Sequence, residues 1–176
     1  MKNESTISEL VSLINTKFNG KIDVLVNNAG VLGSGNSFLD AKKEDIISTF
    51  DTNLLVPLRL CQEFVPMMIK NKYGRIVNVS SGAGQLSEMN GGYVQYRFSK
   101  VSMNALTKIM TDELKNENIL INSVCPGFVK TKFSEFNEKM GNKTPEEGAE
   151  TIIWASLFED DGPRGKFFRD KKEISF

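Results

Sequence analysis

Short apolar segments alternate with long amphipathic segments along this chain. The short segments 22–26, 75–79 and 119–124 are almost continuously apolar. Such segments are typical of strands that are covered on both faces of a parallel sheet. The long segments repeat apolar positions at helical spacing, which predicts helices. They cover residues 4–18, 42–70, 93–114 and 145–157.

Strands that alternate with long helices form a parallel sheet with helices on both faces. We therefore predict an α/β fold, a doubly wound (Rossmann-like) parallel sheet, as a single domain across residues 1–176. In such sheets, ligands bind beyond the carboxyl ends of the strands. The loops that follow Val26, Val79 and Val124 all lie at that edge, which predicts one shared cleft.

Three local predictions concern single elements. Asp40 precedes the helical segment 42–70 and is expected to cap its N-terminus. Residues 165–174 predict one last strand. The buried face of helix 93–114 is expected to carry apolar side chains at helical spacing, namely Phe98, Val101, Ala105 and Ile109.

The composition excludes several classes of partner and of catalytic site. Lys and Arg together number 22, as do Asp and Glu, so the charge favours neither nucleic acid nor an anionic membrane as a partner. The chain contains no histidine. This excludes Ser-His-Asp and Cys-His nucleophiles and most zinc sites, and we predict no metal centre.

The sequence also indicates the compartment. No apolar run reaches the roughly 18 residues that span a bilayer, and the polar start MKNESTISEL is unlike a signal peptide. Cys61 and Cys125 lie in apolar segments, without CxxC or metal-type spacing. We expect them to be buried thiols rather than a disulfide, in a cytoplasmic protein without a membrane partner.

Tyr96 and Lys100 are four residues apart in the predicted helix 93–114, so their side chains share one face. A phenol with a pKa of about 10 is a poor base at neutral pH, and a neighbouring ammonium would make it more acidic. Tyr96 is therefore the candidate general acid for reducing a carbonyl, or general base for the reverse reaction. Tyr73 and Tyr93 are alternatives, and an exposed helix face is the purely structural explanation for the pair.

A serine at the end of the second strand could donate a hydrogen bond to a carbonyl oxygen as negative charge develops there. Ser81 and Ser80 are both candidates, and Ser-Ser-Gly also suits an ordinary turn. Asn53 is informative because Pro57 has no N–H, so the Asn53 carbonyl loses its normal helical partner. A freed carbonyl can hold a water molecule, although a simple proline kink would look the same.

Taken together, five motifs carry a family resemblance. NNAG at 27–30, Asn53, VSS at 79–81, YxxxK at 96–100 and PGFVKT at 126–131 follow one another in the order typical of the short-chain dehydrogenase/reductase family. The chain resembles this family from residue 4 onward. Its loop SSGAGQLSEMNGGY and its tail GPRGKFFRDKKEI look most like the carbonyl-reductase-like branch.

The resemblance implies an NAD(P)-dependent oxidoreductase that interconverts a small-molecule carbonyl and an alcohol by hydride transfer. NADP is the expected cofactor, and NAD stays open. Catalytic roles are implied for Asn53, Ser81, Tyr96 and Lys100. Asn53 would anchor a water joined to the lysine, and Lys100 would also bind the nicotinamide ribose.

Further contacts are implied in the same way. Residues similar to cofactor-binding positions of the family are Asn27, Ala29, Gly30, Tyr96, Lys100, Pro126, Gly127, Val129 and Thr131. Segment 132–143, with Phe133 and Phe136, is expected to form part of a substrate lid. Helix 93–114 often packs against its copy in this family, so a homo-oligomer is an open alternative to a monomer.

The Gly-rich phosphate turn of the family, TGxxxGxG, does not occur in this sequence. Gly30, Gly33 and Gly35 do not replace it, because no helix opens behind Gly35. The resemblance therefore predicts an N-terminally truncated domain, the C-terminal two-thirds of the usual one, with weakened cofactor binding and an uncovered edge at strand 22–26. The alternative function is a catalytically silent relic, or a module that binds partners by strand pairing.

Overall fold

The computed structural model of the chain describes residues 4–35 and 37–176, and within them a five-stranded sheet lies between helices. The strands are β1 (Val24–Asn27), β2 (Gly74–Val79), β3 (Ile119–Val124), β4 (Phe167–Arg169) and β5 (Lys172–Ile174). The helices are α1 (Glu4–Phe18), α2 (Lys43–Phe50), α3 (Val56–Asn71), α4 (Val94–Glu113), α5 (Glu135–Met140) and α6 (Pro145–Ser156). The predicted α/β class is confirmed.

The strands lie side by side in chain order. The first four are parallel, and β5 runs antiparallel to β4. The prediction of one last strand over 165–174 is wrong, because Asp170 and Lys171 turn the chain back with φ of 53° and 58°. Two consecutive residues with positive φ match the twist of a tight hairpin.

Two apolar clusters hold the helices on the sheet. On one face, Phe64 and Met68 of α3 pack with Ile76 of β2, and Ile7 of α1 joins this cluster. On the other face, Val77 of β2 packs with α6 and with the residues just after it. Neighbouring residues of one strand therefore pack into clusters on opposite faces of the sheet, as the pleat requires. Every residue of β2 and β3 is buried, as their continuous apolar sequences predict.

The first strand differs from these two. Leu25 and Asn27 are buried, but Val24 is 37% and Val26 is 39% exposed. The prediction of cover on both faces is therefore wrong for β1. The strand is at the end of the sheet order, and no other described strand pairs with its outer edge.

Helix α4 packs with a different face from the one that its apolar residues predict. Phe98 is 53% and Ile109 is 55% exposed, so the predicted face, which also included Val101 and Ala105, is wrong. The buried side chains are mostly polar: Gln95, Ser99, Lys100, Met103, Asn104, Thr107 and Met110. Lys100, Asn104 and Thr107 bond to strand ends and loops, which makes the burial of these side chains tolerable.

A π-helical segment, Asp51–Leu55, joins α2 to α3. The N–H of Val56 donates to the carbonyl of Asp51, five residues earlier. Pro57 has no N–H to donate, and the helix accommodates the proline by widening into a π-helical turn just before it. Asn53 lies inside this segment and is completely buried.

Asp40 does not cap the helix that follows it. Helix α2 begins later than predicted, after Lys42, without a side-chain cap. The Asp40 carboxylate instead accepts a hydrogen bond from Ser37 Oγ at 2.7 Å, which closes a local turn.

The tight contact between β2 and α3 gives a stability prediction. A Cβ on Gly74 would lie 2.6 Å from Met68 Sδ, in a part of the core where Met68 has no exposed surface. Gly74→Ala should therefore lower the free energy of unfolding by about 1–3 kcal/mol, measured by urea denaturation. Gly91→Ala is the matched control, because a Cβ there meets no atom within 4 Å. Equal stability of the two variants would contradict the packing described.

Candidate active site

The carboxyl ends of β1, β2 and β3 open into one cavity of about 730 Å³. The loops after these strands supply residues 28–30, 79–81 and 126–129 to its walls. The first turns of α4, residues between 131 and 137, and the first part of α6 also line it. The three loops thus share one cleft, at the sheet edge where ligands of doubly wound folds bind.

Tyr96 lies on the first turn of α4, beside Ser81. Burial raises the pKa of the Tyr96 phenol to about 12. The hydrogen bond to Ser81 lowers this pKa, and negative charge on Cys125 raises it, but burial is the largest effect. The phenol is therefore protonated throughout the neutral range and is available as a proton donor.

The other two tyrosines lie away from this cavity. The ring of Tyr73 stacks under the guanidinium of Arg75, with 4.1 Å from Cζ to the ring centroid. Tyr93 immediately precedes α4 and packs against Gly35. Neither residue is among those that line the cavity.

Lys100 follows one turn after Tyr96 and is only 4% exposed. Its Nζ donates a hydrogen bond to the carbonyl of Val79 at 2.7 Å, and lies 5.6 Å from the centroid of the Tyr96 ring. Burial lowers the pKa of Lys100 to about 8, and negative charge on Cys125 acts in the opposite direction. The expectation that this lysine makes Tyr96 more acidic is wrong, because burial raises the pKa of Tyr96 and Lys100 is not among the groups that shift it.

The two candidate serines differ in what their hydroxyls reach. Ser80 is buried, and its Oγ donates to the carbonyl of Lys100 at 3.4 Å. Ser81 Oγ accepts the N–H of Ala83 at 3.2 Å, and Ser81 lines the cavity beside Tyr96, whose pKa it lowers. The geometry therefore brings Ser81 to Tyr96, while Ser80 joins the strand end to α4.

The side chain of Asn53 ties the loop after β1 to α4. Its Oδ1 accepts the N–H of Val31 at 2.8 Å, and its Nδ2 donates to the carbonyl of Val31 and to Ser99 Oγ, both at 2.9 Å. Ser99 Oγ in turn donates to the carbonyl of Tyr96 at 2.7 Å. The amide of Asn53 therefore fixes the start of α4, and does not line the cavity.

Sequence reasoning did not single out Ser99. The available signal was its position inside the YxxxK motif, where a small polar side chain can share the buried face of the helix. Cavity-lining residues that it also missed are Leu32, Gly148, Ala149 and Ile152.

Most of the predicted cofactor contacts surround the cavity. In addition to Tyr96 and Lys100, the lining includes Ala29, Gly30, Pro126, Gly127, Val129 and Thr131. Asn27 is the exception, since its Nδ2 donates to Asn78 Oδ1 on β2 at 2.8 Å and the residue is buried in the sheet. Asn27 thus joins two strands and does not line the cleft.

Aromatic rings form the wall next to Tyr96. The ring centroid of Phe133 lies 5.8 Å from that of Tyr96, and those of Phe128 and Phe136 lie 5.2 Å apart. Phe133 and Phe128 line the cavity, whereas Phe136 is 61% exposed on α5. The segment that was expected to form a lid therefore borders the cavity.

Comparison with known proteins places the chain in a family. The short chain dehydrogenase family model matches residues 1–141. The chain belongs to the short-chain dehydrogenase family. The family resemblance seen in the sequence is thereby confirmed.

Curated relatives from bacteria and plants support this assignment. The chain is 38% identical over 147 residues to the 3-oxoacyl-[acyl-carrier-protein] reductase FabG of Thermotoga maritima, covering 84% of this chain and 55% of that protein. It is 29% identical to (+)-neomenthol dehydrogenase of Capsicum annuum, with 98% and 76% covered. An Oxidoreductase UcpA of Salmonella typhimurium is 38% identical, with 75% and 49% covered. The chain thus spans about half the length of the first and third of these proteins.

Solved structures share the fold. Carbonyl reductase Sniffer of D. melanogaster superposes with a TM-score of 0.84 at 25% identity, covering 94% of this chain and 71% of that one. The NADPH-bound carbonyl reductase from chicken fatty liver gives a TM-score of 0.87 at 24% identity, with 99% and 74% covered.

Two further properties concern the described residues as a whole. Within 4–35 and 37–176, no helix has the length and apolar content needed to cross a membrane. The same residues include no group of three His, Cys, Asp or Glu side chains arranged to hold a metal ion. Cys61 and Cys125 are free and buried, as expected from the sequence.

The burial of Lys100 predicts a pH dependence of stability. Its pKa is about 8 in the folded state against an ordinary 10.5, so the unfolded chain binds more protons between these values. Stability should therefore rise with pH above 8, by at most about 1.4 kcal/mol per pH unit. Urea denaturation between pH 7 and about 9 tests this, because Cys61, whose pKa burial raises from 9.0 to about 11, acts in the opposite direction above that limit.

The relevant quantity is the free energy of unfolding of the wild type minus that of Lys100→Met. This difference should increase across the window. Lys108→Met, which removes an exposed lysine from the same helix, is the matched control. A difference that does not change with pH would contradict the burial of an ammonium at position 100.

Proposed function

We propose that this chain carries the catalytic site of a reductase that converts a small-molecule carbonyl to an alcohol with NADPH as the hydride donor. Ser81, Tyr96 and Lys100, which meet at one cavity beyond the strand ends, are the observation that carries this proposal. Both cysteines are free thiols, which is consistent with a cytoplasmic protein.

The cavity suits a nicotinamide nucleoside. Its volume of about 730 Å³ lies within the range of about 300–1,000 Å³ typical of small-molecule sites. The polar side chains of Asn28, Thr131 and Lys100 line it, and no carboxylate does. Gly30 leaves its backbone bare beside the lysine, since a Cβ there would lie 3.6 Å from Lys100 Nζ. Amide, hydroxyl and ammonium donors without a nearby acid fit a ribose, a carboxamide and a phosphate.

NADP is the cofactor that the relatives favour. The similar carbonyl reductase from chicken fatty liver is an NADPH-bound structure, and serine dehydrogenase, another protein of similar fold, was solved with NADP⁺. When bound, the reduced cofactor supplies the hydride. Ala29, Gly30, Pro126, Gly127, Val129 and Thr131 would hold its nicotinamide half, together with Tyr96 and Lys100.

The protein supplies the proton and the polar environment of the carbonyl. Tyr96 is protonated at neutral pH and donates to the carbonyl oxygen as it gains negative charge. Ser81, which lines the cavity beside that phenol, is placed to donate a second hydrogen bond to the same oxygen. Lys100 carries a positive charge below its pKa of about 8 and stabilises the phenolate that forms.

Asn53 is proposed to complete this set. Its side chain fixes the start of α4, and its main-chain carbonyl, which Pro57 cannot satisfy, is proposed to hold a water that returns protons to Lys100 and Tyr96. Gly30 is close to both Asn53 and Lys100, because a Cβ there would lie 3.5 Å from Asn53 Oδ1 and 3.6 Å from Lys100 Nζ.

The reductase proposal predicts the effect of removing the proton donor. Tyr96→Phe should lower kcat about 10²- to 10⁴-fold, because general acid catalysis contributes a factor of that size. The assay follows NADPH absorbance with acetophenone and cyclohexanone as probe ketones. Tyr93→Phe, which removes the same hydroxyl from outside the cavity, should retain activity within about twofold.

Two further results would contradict parts of this proposal. Asn53→Ala with unchanged turnover would remove Asn53 from the proton path. A titration of NADPH fluorescence that gives no binding up to about 1 mM would exclude the reductase function for this chain.

A second function is favoured by the exposed edge of the sheet. The outer edge of β1 has no described strand partner, and the valines at 24 and 26 are each more than a third exposed. An uncovered strand of this kind can pair with a strand of another chain. According to this alternative, the chain is catalytically silent and binds a strand of another chain through β1. It then shows no turnover and no affinity for NADPH.

The pairing alternative predicts that a charge on β1 blocks association. Val26→Lys should convert an associated protein to monomers, as measured by sedimentation velocity, because the ammonium opposes strand pairing. Val31→Lys, at a similarly exposed valine outside the strand, is the matched control. A wild type that is monomeric at all concentrations would contradict self-pairing through β1.

A further inference from the structure

The hydroxyl of Ser81 is placed by the short turn that follows it. Residues 82–84 form a single 3₁₀ turn, which Ser81 caps through the bond from Ala83 N–H to its Oγ. The carbonyl of Ser81 accepts the N–H of Gly84 at 2.9 Å. The N–H of Gly82 points out of the turn, to Cys125 Sγ at 3.2 Å. The direction of the hydroxyl therefore depends on the order of this turn.

Arg169, at the end of β4, contacts this turn from outside the cavity. Its Nε donates to Cys125 Sγ at 3.4 Å, the same sulfur that accepts from Gly82. Its Nη2 donates to Gln85 Oε1 at 2.7 Å, just beyond the turn. A Cβ on Gly82 would collide with this Nη2, so the guanidinium lies directly on the backbone of the turn.

Gln85 extends the contact to the end of the sheet. Its Nε2 donates to the carbonyl of Ser175 at 3.0 Å, while its Oε1 accepts from Arg169. The guanidinium is planar, with donors in fixed directions, so binding on both sides of the turn restricts its movement. Arg169 does not line the cavity and can affect the site only through the turn.

We propose that Arg169 is a positioning residue, which holds the turn at 82–85 so that the Ser81 hydroxyl keeps its place beside the Tyr96 phenol in the cavity wall. This inference rests on the role proposed for Ser81. Without the guanidinium, the Cys125 sulfur and Gln85 each lose one hydrogen-bond donor. The turn then keeps only its internal hydrogen bonds and the bond from Gly82 N–H to the Cys125 sulfur. The hydroxyl of Ser81 then leaves the phenol for part of the time.

The test observes Tyr96 directly and does not depend on turnover. Carbon-13 at the ring Cζ of the three tyrosines gives one NMR signal for each, and Tyr96→Phe assigns the relevant one. Ser81→Ala should shift this signal, because the phenol loses its partner. Arg169→Met, which keeps the apolar stem of the side chain, should shift it in the same direction. Arg169→Lys, which keeps the charge and a donor, should recover part of the shift.

Arg164→Met is the matched control. Arg164 also follows α6, but its guanidinium binds the main-chain carbonyls of Lys115 and Glu117, away from the turn. The Tyr96 signal should not move in this variant. A shift there of the same size as in Arg169→Met would show a general loss of packing and would overturn the proposal.

Amide exchange reports on the turn itself. In Arg169→Met the amides of residues 82–85 should exchange about tenfold faster, while those of β2 keep their protection. Gly82→Ala provides a second perturbation, because its methyl displaces the guanidinium while Arg169 remains in the chain. Gly82→Ala should produce the same faster exchange and the same shift of the Tyr96 signal. If Arg169→Met does not fold, this variant tests the role of Arg169 in its place.

The outcomes separate this proposal from the reductase function. An unmoved Tyr96 signal with unchanged exchange in both variants would overturn the role of Arg169. So would an unmoved signal in Ser81→Ala, since the hydroxyl would then not be on the phenol. A wild type without turnover removes the reductase function but leaves this test intact. Where turnover occurs, Arg169→Met should lower kcat more than it changes KM, with no further loss in the Ser81→Ala background.

Discussion

The hydrogen bond from Lys100 to the carbonyl of Val79 is the contact on which the arrangement of this site depends. A buried ammonium is stable only where an acceptor meets it, and here that acceptor is the last residue of β2. The bond fixes the position of α4 along the strand. With that position set, Tyr96 comes to the mouth of the cavity, where Ser81 reaches its phenol. Other polar bonds secure the same helix, among them Asn104 to the carbonyl of Gly84 and Thr107 to Ser123.

The polar attachment of α4 explains what could and could not be predicted from the sequence. The strands β2 and β3 were predictable, because their apolar residues are buried in ordinary layers. The buried face of α4 could not be predicted, because apolar periodicity identifies a buried face only where apolar side chains drive the burial. Here a polar face is buried because it serves the site, and Phe98 and Ile109 remain outside. The exposure of Val24 and Val26 could not be predicted from the sequence either, because it depends on which elements pack against β1 and not on β1 itself.

Motif residues were easier to predict than the residues that support them. The spacing of Tyr96 and Lys100 follows directly from helical geometry, and both are at the cavity. Asn53 was singled out through Pro57, yet its side chain binds Val31 and Ser99, contacts that no spacing rule indicates. The π-helical segment that presents it is one of several ways in which a helix can absorb a proline. Arg169 is 84 residues from Gln85 in sequence, and a contact across that separation leaves no local pattern.

Burial moves the pKa values of Tyr96 and Lys100 in opposite directions, and these shifts support the proposed carbonyl reduction. It raises the pKa of Tyr96 to about 12 and lowers that of Lys100 to about 8. At neutral pH the phenol therefore holds its proton and the lysine is still mostly charged. In the proposed reduction Tyr96 gives its proton to a carbonyl oxygen, and the phenolate that forms faces Lys100, whose Nζ is 5.6 Å from the ring centroid. In a region of low dielectric their attraction is strong. The same desolvation that would penalise an isolated phenolate thus strengthens the pair that forms during reduction. Oxidation of an alcohol would need the phenolate beforehand, and the buried phenol resists that state.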